Sequence, residues 1–457
     1  MMTEGQKAKL AEYSAAKRPC PARERLAALF DDGAYTETGS GIMNGSNYAG
    51  VVTAYGYIGG CPAYAFSQDR TVMSGAVGKA HSAKICKMLE LAAKNGVPVV
   101  GIYDSCGAFI EDGAEALNAY SDILLGMGNL SGVVPMVSVI SGVCAGSMAL
   151  IAASADFSVI TEAAELYVTP AQSGANAADA VKSGAVSAIA ADDQAAMELV
   201  KKYLSLMPQN NLSPVPEYDF AAPSAASYAD AESTAKSIAD EDSILEISAD
   251  FGKAAYTALC TVAGTAAGIA CTNKTKDKLT SDDCAKLARF VRLCDAFGLP
   301  VITVADTEGF ESEGAESVRA CAKLAGAYAE ATCAKIVLVS GKACGGAFIA
   351  LAGRNAAADA VFALPEAVIA PVEPVTAAEF LYHDKLKGAS DLAAERNKLA
   401  AEYAENEASA FAAAAKGAAD DVVTAEEARE KIASVLDITA GKRLNKRLPK
   451  KHSVLPL

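Results

Sequence analysis

"SGVCAGSMAL", Ser141 to Leu150, returns about 200 positions later as "KACGGAFIAL", Lys342 to Leu351. Each stretch follows a short apolar, β-branched run, "VPMVSVI" (134–140) and "AKIVLV" (334–339), and each turns through small residues into another apolar run. A strand that ends in a Gly turn and enters a helix leaves the first N–H groups of that helix without intrahelical partners. Small residues let a ligand oxygen approach those groups, and two of them aimed at one oxygen form an oxyanion hole that needs no side chain. The same turn also lets a helix pack closely on a sheet. Its duplication sets the two readings level.

The repeat extends outward from the turns. "GVPVVGIYDSCG" (96–107) aligns with "GLPVITVADTEG" (298–309), which sets Asp104 against Asp306. Cys144 falls against Cys344, Asp156 against Asp359, and Pro170 against Pro371, in the same order. Such self-similarity marks two copies of one fold. In each copy an amphipathic helix ("AHSAKICKMLELAAKNG"; "DDCAKLARFVRLCDAFG") ends at Gly. A buried parallel strand, a Gly-containing loop, another helix and a second buried strand lead to the quoted turn. Alternating strands and helices give an α/β fold with parallel sheets. The Pro-, Ser- and Asn-rich segment Leu206 to Ser227 reads as the linker, so the halves run over 1–212 and 228–457.

Composition narrows the function. A net charge of −15 argues against a general nucleic-acid or anionic-membrane binder. The twelve Cys are scattered without C-x-x-C pairs or zinc spacings, and the first residues do not read as a signal peptide, so the expected setting is reduced and cytoplasmic. The charge-free run Val133 to Ala155 is long enough for a bilayer, yet its Pro, Ser and Gly content favours a buried strand, turn and helix.

At this point the chain resembles the biotin-dependent carboxyltransferases: propionyl-CoA carboxylase β chains and the carboxyltransferase subunits of methylmalonyl-CoA and glutaconyl-CoA decarboxylases. The resemblance runs through "ARERLAALFDDGAYTE", "GVVTAYGYIGG", "AFSQDRTVMSGAVGKAHSAKICK", "DSCGAFIEDG", "ARFVRLCDAFGLPVITVAD", "KACGGAF" and "KKHSVLPL". It implies tandem duplicated crotonase-like (ClpP/crotonase) ββα spiral domains, the N-terminal half for acyl-CoA and the C-terminal half for biotin. It also implies a homo-oligomer, a hexamer in the family, with each site built from two chains. No side-chain base is needed in that family, since the α-proton passes to biotin.

By position the backbone amides of Gly146 and Ser147, and of Gly346 and Ala347, are expected to hold the two oxyanions. Ser105, Cys106, Gly107, Ala108, Gly309, Phe310 and Gly345 are expected to line the substrates, with no metal. The coenzyme A thioester is the substrate. Biotin is expected on a separate biotin carboxyl carrier protein, because the chain has no Met-Lys-Met segment. A biotin carboxylase or a membrane decarboxylase subunit is a further expected partner, the latter implying a peripheral place at a membrane complex.

The chain departs from the family pattern at four places. Ser147 stands for the second Gly of the first turn, Phe109 for an Arg, and the loops after "DTEGF" and between Gly184 and Pro208 are short. Two alternatives therefore stay open: a crotonase-type hydratase or isomerase using Glu111 or Asp112, and a catalytically silent structural subunit. His81, His383 and His452 are too far apart in sequence to suggest a site, and Cys144 and Cys344 read as small buried residues before nucleophiles. The basic end "GKRLNKRLPKKH" reads as a solvated tail, with contact to CoA phosphates as the alternative.

Overall fold

In the computed structural model the chain forms two compact units, Met1–Pro214 and Val215–Leu457. The structure describes residues 2–442 apart from 16, 45–46, 171–173, 225, 276, 312–314, 352 and 354–357. His452, the end of the basic tail and part of the "ESEG" loop lie outside the described residues.

The first unit has strands β1 (Tyr35–Thr38), β2 (Met43–Asn44), β3 (Asn47–Tyr48), β4 (Val51–Ile58), β5 (Cys61–Gln68), β6 (Val99–Ser105), β7 (Met136–Ala145), β8 (Phe157–Thr161), β9 (Glu165–Tyr167) and β10 (Ala188–Ala190). Its main sheet runs β1-β4-β5-β6-β7-β8-β10, and β9 joins the far end of β7. The second unit has β11 (Leu245–Glu246), β12 (Tyr256–Val262), β13 (Thr265–Cys271), β14 (Val301–Ala305), β15 (Lys335–Val339), β16 (Lys342–Cys344), β17 (Ala360–Ala363), β18 (Val368–Ala370) and β19 (Asp421–Val422). Its sheet runs β11-β12-β13-β14-β15-β17-β19, with β16 and β18 as a separate parallel pair. From β5 and from β13 onward the pairing is parallel, as the buried apolar runs require.

Each sheet also begins with antiparallel strands, which the strand–helix alternation in the sequence did not reveal. The hairpins close through Gly59-Gly60 and Ala263-Gly264, all at positive φ. A two-residue loop of that kind between apolar runs is the signal for them.

The duplication is visible in matching hydrogen bonds. Val77 N–H donates to the Gly107 carbonyl and Phe109 N–H to the Val77 carbonyl; Leu279 with Gly309 and Glu311 repeats the pair 202 residues on. The Met136 N–H donates to the Asp156 carboxylate, and the Lys335 N–H to that of Asp359. Buried side chains such as Phe66, Tyr103 and Ile140 in one core, and Ile302, Ile336 and Leu338 in the other, each contribute roughly 1.5–3 kcal/mol.

The run Val133 to Ala155 forms β7 and the helix Ser147–Ala153. Among the described residues no helix is long and apolar enough to cross a membrane. The supposed linker is used from Val215 onward by the second unit. There the Tyr218 N–H donates to the Gly264 carbonyl at 2.8 Å, and the Ala266 N–H to that of Pro216 at 3.0 Å.

Candidate active site: two equivalent glycine turns

β7 ends at Gly146, which takes φ 70° and caps the helix Ser147–Ala153. β16 ends at Gly345, which takes φ 54° and caps the helix Gly346–Ala350. Both glycines donate their own N–H to the adjoining strand, Gly146 to the Tyr167 carbonyl at 3.0 Å and Gly345 to that of Ala370 at 2.8 Å. The turns therefore correspond 199 residues apart, and Cys144 matches Ala343 instead of Cys344. A one-residue slip along a strand moves a side chain to the opposite face. Accordingly Cys144 is fully buried while Cys344 is half-buried.

This register corrects the oxyanion role expected of the Gly146 amide and leaves Gly345 as an expected lining residue. Gly146 and Gly345 have committed N–H groups and hold the turns in shape. Among the described residues the N–H groups of Ser147 and Met148 in the first turn, and of Gly346 and Ala347 in the second, have no acceptor. The sequence reading named Ser147, Gly346 and Ala347 but missed Met148. The signal was available: an N-cap lies outside the helix, and the orphan donors start one residue later.

Loops from β6 and β14 approach these turns. A Cβ on Gly146 would lie 3.9 Å from the Gly107 Cα, and a Cβ on Gly346 would lie 3.9 Å from the Phe310 ring. Ser105 is buried, and its hydroxyl accepts from the Gly107 N–H at 3.2 Å; Thr307 and Gly309 repeat this contact at 3.2 Å. Ser105 thus shapes the loop, whereas Cys106 and Ala108 are exposed beside it. Gly309 and Phe310 are half-buried next to the second turn. Gly346 is exposed, but the Ala347 side chain is only 1% exposed and points into the core.

Charges near the turns are asymmetric. Behind the first turn Arg25 donates to Asp104 at 3.0 Å, to Asp193 at 2.8 Å and to the Ser141 carbonyl at 3.4 Å. Gly142 is required there, because a Cβ would come within 2.3 Å of the Asp104 carboxylate; Gly341 stands in the same relation to Asp306. Burial pushes the Cys144 thiol well above its usual range, and burial with Glu373 nearby pushes Cys344 up to about 11. Both stay neutral thiols at physiological pH, which removes the activated-nucleophile reading.

His81 is buried and pushed down to about 3 by burial and Lys84, so it stays neutral. Asp112 caps the helix Lys79–Asn95, accepting the Lys79 N–H at 2.8 Å, and Glu111 is exposed on a short turn. No group of three or more His, Cys, Asp or Glu placed to hold a metal occurs among the described residues.

Two equivalent glycine turns with uncommitted N–H groups, on a duplicated α/β scaffold, are the shared features of the two units. The family model described as carboxyl transferase domain matches residues 20–455. The chain is 33% identical to methylmalonyl-CoA decarboxylase subunit alpha of Propionigenium modestum, over 95% of this chain and 93% of the relative. It is 34% identical to the methylmalonyl-CoA carboxyltransferase 12S subunit of Propionibacterium freudenreichii subsp. shermanii, over 95% and 91%. The transcarboxylase 12S crystal structure, a hexamer assembly with methylmalonyl-coenzyme A and methylmalonic acid bound, superposes with a TM-score of 0.91. It is 31% identical and covers 100% of this chain and 99% of that one. The chain belongs to the carboxyl transferase family, and its fold is the crotonase-like one that the resemblance implied.

Proposed function

We propose that the chain is the carboxyltransferase subunit of a biotin-dependent acyl-CoA carboxylase or decarboxylase. The first unit holds the acyl-CoA and the second holds biotin on a separate carrier protein. The carrying observation is the pair of equivalent turns, each with two N–H groups uncommitted among the described residues. When a carboxyl group leaves or joins a thioester's α-carbon, charge gathers on the thioester oxygen. The Ser147 and Met148 amides are placed to hold that charge. The Gly346 and Ala347 amides are placed to hold the urea oxygen on the biotin side.

Relatives named for methylmalonyl-CoA and propionyl-CoA support a three-carbon propionyl group and its α-carboxylated form. A hexamer fits the transcarboxylase neighbour and the exposed apolar Leu117, Leu125, Phe380 and Phe411. A biotin carboxylase or a membrane decarboxylase subunit would complete the assembly, with this chain cytoplasmic or peripheral to it.

The test is exchange of labelled carboxyl between methylmalonyl-CoA and free biotin or a biotinylated carrier domain. Wild type and Glu111→Gln are expected to exchange equally. Absence of exchange, together with hydration of an unsaturated acyl-CoA that Glu111→Gln abolishes, would replace this reading with a hydratase.

A further inference from the structure

The second turn is bordered by an ion cluster whose matching positions at the first turn carry no charge. Lys342, the first residue of β16, lies three positions before Gly345 and is 28% exposed. Its ammonium sits 2.7 Å from the Glu308 carboxylate and 3.0 Å from that of Glu373. Glu308 belongs to the loop after β14 that carries Gly309 and Phe310, and Glu373 caps the helix Pro374–Leu381.

The Lys342 backbone joins the same two segments. Its N–H donates to Asp306 at 2.9 Å, its carbonyl accepts from the Thr307 N–H at 2.8 Å, and β16 pairs with β18 just ahead of Pro371. At the first turn the matching position is Val143, and the residues matching Glu308 and Glu373 by their hydrogen-bonded frames are Cys106 and Pro170, which corrects the expected match of Pro170 with Pro371. None of these three side chains carries a charge, so no equivalent bridge forms among them.

We propose that Lys342, bridging Glu308 and Glu373, is the positioning residue of the second turn. It fixes the Phe310 loop and the segment after β18 around the Gly346 and Ala347 amides, and touches no reacting atom itself. The proposal rests on the carboxyltransferase reading for its kinetic consequence but not for its structural one. The two carboxylates raise the Lys342 ammonium above its ordinary range, so the bridge stays charged at neutral pH. All three side chains are partly exposed, and such pairs contribute little to global stability. Their effect is on local geometry, where a displacement of about 1 Å costs on the order of 100-fold in rate.

The test compares Lys342→Met, Lys342→Arg and the double variant Glu308→Gln/Glu373→Gln in the full chain. Steady-state transfer, thermal unfolding and amide hydrogen exchange across residues 345–351 are measured. Lys342→Met is expected to lose about 10- to 100-fold in kcat, with the KM for acyl-CoA and the Tm unchanged and with faster exchange in that segment. The double variant should match it, and Lys342→Arg should recover part of the rate. Unchanged kcat with unchanged exchange, or a kcat loss that tracks a fall in Tm, overturns the proposal. If wild type transfers no carboxyl group the functional reading fails instead, and the exchange comparison alone decides whether Lys342 holds the turn.

Discussion

Ser147 and Gly346 occupy the same place in the two turns, and their difference is one hydroxymethyl group. A Cβ at Gly346 would touch the Phe310 ring at 3.9 Å, whereas position 147 already carries a side chain. Ala347, next along, faces the core. Enlarging it therefore tests packing, not the oxyanion site. Ala347→Val should destabilise the fold by about 1–3 kcal/mol through overpacking. A denaturant unfolding curve checks this, and an unchanged midpoint would show that the side chain faces the substrate. The pairing of Cys144 with Cys344 shows why the residue scale was the hardest to read. Cys144 lies two residues before its Gly, but the second turn has two glycines after Cys344, and sequence identity alone does not say which one caps the helix. The hydrogen bonds to Tyr167 and Ala370 decide it.

At the scale of elements most of the fold was legible, because the helices are amphipathic and the inner strands are apolar throughout. The helix Lys79–Asn95 ends at Gly96 in the left-handed conformation, and the helix Ser281–Ala296 starts with a Thr280–Asp283 capping box. These helices share a feature that pattern reading passed over, a buried lysine at matching positions. Lys84 donates to the Val51 carbonyl; Lys286 donates to those of Ala255 at 2.8 Å and Gly252 at 3.4 Å. Each ties its helix to the segment leading into the antiparallel strands.

Burial pushes both ammonium groups down from 10.5 to about 8. The unfolded chain therefore binds more protons than the folded one between about pH 8 and 10.5, so each lysine's contribution grows with pH across that window and is lost as pH falls through 8. Relative to Lys84→Met or Lys286→Met, wild type should gain up to roughly 3 kcal/mol between pH 7.5 and 10.5. Comparing variant with wild type at each pH cancels the opposing effect of the buried thiols. A pH-independent difference would mean that the ammonium groups are solvated.

For the whole molecule, the duplication and the lack of catalytic side chains in the turns were both visible in the sequence. The ion cluster at Lys342 was not, because its partners lie 34 and 31 residues away and meet only through β16 and β18. The central claim is that the halves divide one reaction, with backbone amides of each holding its own oxyanion. The most direct test is Gly346→Val, assayed for carboxyl transfer between methylmalonyl-CoA and a biotinylated carrier alongside calorimetric binding of the CoA ester. The substitution keeps the N–H but sets a branched side chain against the Phe310 ring beside it. Transfer is predicted to fall about 100- to 1,000-fold, with CoA-ester affinity unchanged. Undiminished transfer, or loss of CoA-ester binding in step with transfer, would contradict the account.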